Sequence, residues 1–486
     1  MTKSNLAKDS FMLIFVQGVT MCAGLIQAMV LSRTLTQFEY GTYSQGLLLV
    51  SVATAFVGLG LNNSINYFYN KTDNIEKKKM YTNTIFFLTF LTGTIGAVII
   101  ILSNRLIASY FKNPQLIYLI IFVAFRPLFA NFICLYQTLY VSNQMTKVIA
   151  VRNLVVSVFQ VSITTLVALF VQNIALIFIL LCVLDLMQIL VFSIYYEKKV
   201  WKINIFKFNF KMIKTIFTYS IPLATAMIIG TLLVNMDNLF IGKVMNTENL
   251  ALYTNMSKEL PFAFIGNSFT TVVTPIIIKL IHVGKKQDFI RIWSNYIQLG
   301  YLTTWTLCCG AIVCAPELLR FLYSEKYVAG LNVFIIYLIV EMFRFTYFGI
   351  ILTAKGKTKV ILLYSFITML LNFLLNVILF HFMGIIGPAF ASLISIATMN
   401  ILQLFHSSII SGVSFLKIIN IRRMAIVFIE LISTGVFCEF LKSRLYIILN
   451  SSTFILAITY TIFVLIMLGL NFKKLKMITK QLNIEM

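Results

Sequence analysis

Fourteen long apolar stretches follow one another along this chain, and they restrict its fold more than any other feature does. An α-helix needs about 20 consecutive apolar residues to cross a lipid bilayer. Of the 486 residues, 59% are hydrophobic and 11% are charged, whereas about one quarter of a soluble domain is charged. The sequence therefore predicts an all-α polytopic membrane protein with about 14 transmembrane helices. The stretches lie at 11–31, 41–61, 83–103, 116–141, 153–171, 174–195, 216–241, 250–281, 292–315, 331–354, 360–380, 385–410, 424–441 and 446–470.

The basic residues predict how the chain is oriented in the membrane. Most of the 39 lysines and arginines lie in alternate loops, including 77–79, 198–214 and 473–476. Loops rich in Lys and Arg stay on the cytoplasmic side, so we expect both termini in the cytoplasm. This distribution explains the net charge of +23 by membrane insertion and contact with anionic headgroups. It argues against nucleic acid as a partner.

The chain also contains an internal repeat. Segment 33–44 resembles 243–254, and Thr-Lys-Val-Ile occurs at both 146–149 and 358–361. Both matches relate the first six stretches to the next six. Because six crossings are an even number, the two halves share one orientation and form parallel repeats. The predicted domains are an N-lobe at 1–196, a cytoplasmic linker at 197–215, a C-lobe at 216–412, and two extra helices with a basic tail at 413–486.

Two parallel six-helix lobes that face each other enclose a central cleft, and rocking of the lobes gives alternating access to it. The sequence therefore predicts a transporter. No catalytic, metal-binding or cofactor motif is present: the Gly-Lys-Thr at 356–358 lacks the first Gly of a P-loop. The seven cysteines have no metal-ligand spacing.

Ionisable residues at membrane depth normally face a bundle interior or a water-filled cavity. Arg126 lies near the middle of the fourth stretch, and Arg344 lies in the tenth, which is its counterpart in the repeat. Guanidinium groups suit phosphate because they offer paired donors and stay charged when desolvated. We therefore expect Arg126, Arg344 and Lys258 to bind a phosphate group in the cleft.

The acidic residues at the same depth have two interpretations. Asp237, Asp185 and Glu341 either carry a coupling ion or pair with the basic residues. Glu341 lies three residues before Arg344 on one helix face, so these two side chains are one alternative pair. Asp185 is the alternative partner of Arg126.

Segments rich in asparagine and tyrosine, at 58–70 and 253–262, form a separate feature. Amides and aromatic rings suit sugars, but they also suit helix caps and interfacial belts.

Two short motifs connect the chain to a known family. The first combines Arg33, Leu35, Glu39, Tyr40, Gly41 and Tyr43, and the second combines Tyr219, Ser220, Pro222, Asn235 and Asp237. In these motifs the chain resembles bacterial polysaccharide flippases of the Wzx type, in the multidrug/oligosaccharidyl-lipid/polysaccharide exporter superfamily. Thr36 stands where the family usually has glycine.

The resemblance implies a MATE-like fold and a flippase that is not an enzyme and needs no cofactor. Its cargo would be undecaprenyl-diphosphate-linked oligosaccharide repeat units, for O-antigen, capsule or another glycan, moved to the outer face of the bacterial inner membrane. The expected partners are this lipid-linked oligosaccharide, membrane lipid, a polysaccharide polymerase and a chain-length regulator. Two alternatives stay open: a multidrug or cation exporter of the same fold, and a non-transporting membrane scaffold for polysaccharide assembly.

Overall fold

The computed structural model describes residues 3–449 and 451–485, and these residues form helices joined by short turns, without a β-strand. This confirms the predicted all-α class. A helix satisfies its backbone hydrogen bonds within one segment, and an apolar environment requires this. The helices fall into two compact units, the first ending at Thr254 and the second beginning at Asn255.

The first unit contains ten complete helices and most of an eleventh, α11, within which the boundary between the units falls. The helices are α1 (Lys3–Thr34), α2 (Gln37–Gly58), α3 (Leu61–Asn70), α4 (Ile75–Leu102), α5 (Asn104–Tyr110), α6 (Leu116–Ala124), α7 (Arg126–Ser142), α8 (Thr146–Phe170), α9 (Ile174–Lys199), α10 (Phe210–Val244) and α11 (Thr247–Met256).

The second unit contains ten further helices and two 3₁₀ turns, at Glu325–Gly330 and Gly384–Ile386. The helices are α12 (Phe262–Val283), α13 (Lys286–Val313), α14 (Ala315–Tyr323), α15 (Leu331–Phe343), α16 (Ile350–Ala354), α17 (Thr358–Met383), α18 (Gly387–Ser411), α19 (Phe415–Ile418), α20 (Ile421–Ile448) and α21 (Ser452–Glu485).

The long helices account for most of the predicted crossings. Within the described residues, ten helical segments are long and apolar enough to cross a membrane, or twelve if each of two bent helix pairs counts as one. The bends measure 44° between α2 and α3 and 85° between α13 and α14. One of the ten segments, Thr358–Ser411, contains both α17 and α18. The predicted number of 14 is consistent with these helices and stays a prediction.

The boundary between the compact units does not coincide with the predicted linker at 197–215. Helix α10 belongs by sequence to the second repeat, but it packs against α2 and α3 in the first unit. The division into lobes at 1–196 and 216–412 rests on the repeat and stays a prediction.

The two extra helices pack into the second unit. A buried apolar cluster that includes Trp293, Tyr301 and Phe463 joins α20 and α21 to α13. A buried ion pair adds to this contact, because Lys442 Nζ lies 3.7 Å from Glu317 Oε2. The same ammonium donates to the Val313 carbonyl oxygen at 2.7 Å.

The first sequence motif caps the N-terminus of α2 and packs this helix against α11. Thr36 Oγ1 accepts from Glu39 N at 3.2 Å, and the Glu39 carboxylate accepts from Thr36 N at 2.8 Å. This reciprocal pair is a capping box, which explains the threonine at a position where the family usually has glycine. Gly41 lies directly against the backbone of Thr247 in α11, so a glycine is required by this close approach.

We expect Gly41→Ala to lower the free energy of unfolding by about 1–3 kcal/mol, because the new methyl group meets backbone atoms that cannot move aside. Gly230→Ala is the matched control, since a Cβ at Gly230 in α10 meets no atom within 4 Å. Alanine there should be neutral or stabilising by up to about 1 kcal/mol. SDS titration of the purified protein in mixed micelles measures both, and equal stability of the two variants would contradict the packing argument.

Candidate functional site

Arg126 occupies the start of α7, at a break in the apolar segment formed by α6 and α7. Pro127 has no backbone N–H and interrupts the helical hydrogen bonds, so α6 ends at Ala124. Arg126 Nε donates to Asp185 Oδ2 on α9 at 3.0 Å. The two side chains are 12% and 15% exposed. Asp185 is therefore the ion-pair partner of Arg126.

This ion pair continues into a chain of polar groups on three helices. Gln188 Nε2 donates to Asp185 Oδ1 at 3.2 Å, and Gln188 Oε1 accepts from Arg152 Nε at 2.8 Å and also from Arg152 Nη2. Arg152 Nη1 donates to Asn153 Oδ1 at 2.9 Å. We call Arg126, Asp185, Gln188 and Arg152 the arginine ladder.

The arginine ladder has more positive than negative charge. It contains two guanidinium groups and one carboxylate, so one positive charge is left without a matching carboxylate in the ladder. Arg126 Nη1 is buried and has no hydrogen-bond partner in the part of the chain that the structure describes. An arginine whose Nε is engaged still offers its terminal nitrogens to an oxyanion. The ladder is thus suited to an anion.

Sequence reasoning missed Arg152 because the fifth stretch was placed at 153–171. Helix α8 begins at Thr146, so Arg152 lies in its second turn and not in a loop. A signal was present in the sixth stretch, where Asp185 and Gln188 are three residues apart. This spacing puts two polar side chains on one helix face. Polar side chains at membrane depth need polar partners, so the spacing predicts such partners on a neighbouring helix.

Arg344 is in a different environment in the second unit. It follows the last residue of α15, and its Nη1 donates to Glu341 Oε1 at 3.2 Å and to Glu259 Oε1. Glu341 is nearly completely buried, and its Oε2 has no hydrogen-bond partner among the described residues. Two carboxylates therefore neutralise Arg344, and pairing of Glu341 with Arg344 is the arrangement observed.

Lys258 completes a charge-balanced cluster in the same unit. It lies between α11 and α12, and together with Glu259, Tyr337 and Glu341 it lines a small cavity with room for about one water molecule. With Arg344 the cluster has two basic and two acidic groups. Net attraction for an anion is therefore weaker here than at the arginine ladder.

Asp237 is separate from both clusters. It is buried on α10 in the first unit and accepts a long hydrogen bond from Tyr253 Oη at 3.4 Å. The structure thus pairs Arg126 with Asp185, and Arg344 with Glu341, and it gives Asp237 polar surroundings of its own. Whether Arg126, Arg344 and Lys258 serve one ligand stays a prediction, as does ion coupling. Within 3–449 and 451–485, no three His, Cys, Asp or Glu side chains are grouped to hold a metal ion.

The fold is shared with known membrane transporters. The chain is similar to a solved structure of the lipid II flippase MurJ in an inward closed conformation, with a TM-score of 0.74 and 14% identity over 95% of this chain and 98% of that chain. It is also similar to an inward-facing multidrug resistance MATE family transporter, with a TM-score of 0.64 and 11% identity over 81% of this chain and 94% of that one. The predicted MATE-like fold is confirmed.

Sequence comparison identifies the family. Residues 30–331, more than half of the chain, match the family described as "Polysaccharide biosynthesis protein", and the chain belongs to this family. It is 22% identical to the teichuronic acid biosynthesis protein TuaB of Bacillus subtilis (strain 168), over 70% of this chain and 69% of the relative. It is 21% identical to the capsular polysaccharide biosynthesis protein CapF of Staphylococcus aureus, over 75% of this chain and 91% of the relative.

Proposed function

We propose that this protein flips undecaprenyl-diphosphate-linked oligosaccharide repeat units from the cytoplasmic to the outer face of the bacterial inner membrane. The family and the names of the relatives support polysaccharide assembly as the process. The likeness to a lipid II flippase supports translocation of a lipid-linked sugar as the step. The protein acts as a transporter without enzymatic activity, and a polysaccharide polymerase and a chain-length regulator are its expected partners.

The observation that carries this proposal is the excess positive charge of the arginine ladder. An arginine at membrane depth costs about 3–15 kcal/mol without a partner, and the ion pair with Asp185 offsets this cost. A diphosphate gives Arg126 acceptors for its terminal nitrogens while Nε stays on Asp185. Arg152 adds a second positive charge nearby, at the far side of Gln188. The diphosphate head thereby leaves water for a charged environment, and the lipid tail stays in the bilayer.

Alternating access moves the head across the membrane. In proteins built from parallel repeats, rocking of one half against the other exposes a site near the bilayer midplane first to one side and then to the other. The basic loops orient this protein with both termini in the cytoplasm, which is the side where the repeat unit is made.

Vesicles that contain the purified protein and a fluorescent undecaprenyl-diphosphate disaccharide test this function. Dithionite quenches the outer leaflet alone in protein-free vesicles, and it should quench nearly all of the label when the protein is present. A matched undecaprenol-linked disaccharide without the diphosphate should not be flipped. If the diphosphate lipid is quenched no further than in protein-free vesicles, the proposal is wrong.

The same vesicles distinguish the alternatives. A cation exporter of this fold would expel ethidium loaded into the lumen, whereas the positive arginine ladder disfavours a cationic cargo. A scaffold would move neither probe. We expect flipping of the diphosphate lipid without ethidium efflux.

A further inference from the structure

Helix α3 has an exposed face that is polar but uncharged. Its other face packs into the core of the first unit. Four exposed residues follow one another at helical spacing on the outer face, and they are Asn63, Asn66, Tyr67 and Asn70. We call these four residues the amide face. It coincides with the segment 58–70, whose asparagines and tyrosines the sequence left open between sugar binding and helix capping.

The residue types of the amide face are typical neither of a surface that contacts lipid nor of a helix face exposed to bulk water. Surfaces that meet acyl chains carry large apolar residues, such as Leu102 and Phe170, which are 78% and 79% exposed. Solvated helix faces usually carry charged residues, as at 76–79 on the next helix. The amide face has neither type. Each of its three amides has two N–H donors and an acceptor oxygen. Sugar hydroxyl groups both donate and accept hydrogen bonds, so they can pair with both ends of such an amide.

The amides are held in place by one another and keep unused hydrogen-bonding groups. Asn70 Nδ2 donates to Asn66 Oδ1 at 2.9 Å and to Ser142 Oγ at 3.2 Å. Asn63 Nδ2 donates to Met227 Sδ at 3.4 Å, and a thioether is a weak acceptor. The hydrogen bonds of the described residues thus leave the Asn66 amide nitrogen and the Asn70 amide oxygen available to a ligand.

An aromatic pair lies beside these amides. The Tyr67 ring stacks on Tyr219 of α10, with centroids 4.3 Å apart and an angle of 14° between the planes. Phe68 meets Tyr219 edge-on at 5.5 Å, which fixes the ring of Tyr219. Aromatic faces are electron-rich, and the C–H groups on one face of a pyranose ring are electron-poor. The ammonium of Lys71, an exposed residue that a ligand can displace, lies 5.2 Å from the centroid of the Tyr67 ring. Once this lysine moves aside, the 40% exposed ring of Tyr67 is a surface among amides on which a sugar ring can pack.

We propose that the amide face, with Tyr219, binds the glycan head of the lipid-linked substrate. The amides hydrogen-bond the hydroxyl groups, and a sugar ring packs against the tyrosine pair. This inference rests on the proposed function for the identity of the glycan, and it assigns the sugar to residues other than those of the arginine ladder. In the predicted topology α3 follows the cytoplasmic end of α2, where the head group is made.

Saturation-transfer NMR on the purified full-length protein tests this site with two neutral disaccharides, chitobiose and maltose. The detergent must be free of sugar, for example lauryldimethylamine oxide. We expect saturation of the ring C–H protons of at least one disaccharide, and a loss of at least about five-fold in Tyr67→Leu and in Asn66→Ala. Tyr118→Leu is the matched control, because Tyr118 is an exposed tyrosine on α6 outside the amide face, and it should keep the wild-type signal.

A second probe separates this proposal from the function on which it rests. Inorganic pyrophosphate, followed by ³¹P line broadening, reports on the arginine ladder. Tyr67→Leu should leave pyrophosphate binding unchanged, and Arg126→Gln should remove it while the disaccharide signal stays. Absence of saturation transfer to both disaccharides in the wild type, or an undiminished signal in folded Tyr67→Leu and Asn66→Ala, overturns the sugar site whether or not pyrophosphate binds.

Discussion

Replacing Arg126 by glutamine is expected to slow flipping of the fluorescent diphosphate lipid by about 100-fold or more. In the binding mode that we propose, this variant loses two charge-assisted hydrogen bonds to the diphosphate, each contributing about 1.5 kcal/mol or more. About 1.4 kcal/mol corresponds to a factor of ten in rate. Dithionite quenching of reconstituted vesicles measures the rate. Arg126→Lys should recover little of it, because lysine keeps the charge but lacks the paired donors.

The ion pair with Asp185 requires a control, since loss of Arg126 also leaves a carboxylate unpaired at membrane depth. The double variant Arg126→Gln/Asp185→Asn removes both charges and leaves no unpaired carboxylate, so it should regain part of the stability that the single variant loses. It should nevertheless stay nearly inactive, because the paired donors of Arg126 are gone and Arg152, which is engaged with Gln188, is the one cationic group left in the arginine ladder. If the double variant flips the lipid at the wild-type rate, the pair serves only to hold α7 against α9, and Arg126 has no part in transport.

Replacing Lys442 by methionine is expected to lower the free energy of unfolding by about 3–5 kcal/mol. Methionine keeps the apolar stem but removes the positive charge next to Glu317, whose side chain is 3% exposed, and breaking a buried ion pair by removing one partner costs this much. Tyr446 still donates to Glu317, so the lower end of the range applies. SDS titration in mixed micelles measures the change.

A surface pair provides the comparison for Lys442. Lys202 pairs with Glu197 at 3.4 Å, with side chains 73% and 45% exposed, and Lys202→Met should cost less than about 1 kcal/mol. Adding Glu317→Gln to Lys442→Met should recover part of the loss, since the unpaired carboxylate is then removed. Equal stability of Lys442→Met and Lys202→Met would show that the buried pair does not stabilise the contact of α20 with the second unit.

Much of the fold was predictable because membrane spans depend on properties of single segments. Apolar length alone identified the long helices. The capping box formed by Thr36 and Glu39 was not predicted. The bends at α2–α3 and α13–α14 were not predicted. They depend on local backbone geometry, such as the left-handed conformation of Leu59 and Gly60, and the hydropathy at the ends of the stretches 41–61 and 292–315 does not specify that geometry.

The candidate site was predictable in its residue types but not in its pairings. The free-energy cost of an arginine at membrane depth identified Arg126 as a candidate. The same cost requires a partner, and Asp185 was one of the alternatives. Whether Asp185 pairs with Arg126 depends on which faces of α7 and α9 contact each other. No sequence pattern within either helix specifies these faces. Arg152 was missed for a simpler reason. An arginine directly before an apolar stretch is equally compatible with a loop and with the first turns of a helix. The structure shows that Arg152 lies in helix α8 and hydrogen-bonds Gln188 on a neighbouring helix.

The packing of α10 affects how the protein can be divided experimentally and in evolution. The repeat suggests two copies that were once separate, each able to fold with its own six helices. In the present chain the first helix of the predicted second copy, α10, packs against α2 and α3 and belongs to the compact unit that ends at Thr254. A fragment cut at the repeat junction would expose the surface of α2 that α10 covers. We therefore expect exchange of modules between relatives to preserve folding at junctions beyond α10 and to disturb it at the predicted linker 197–215.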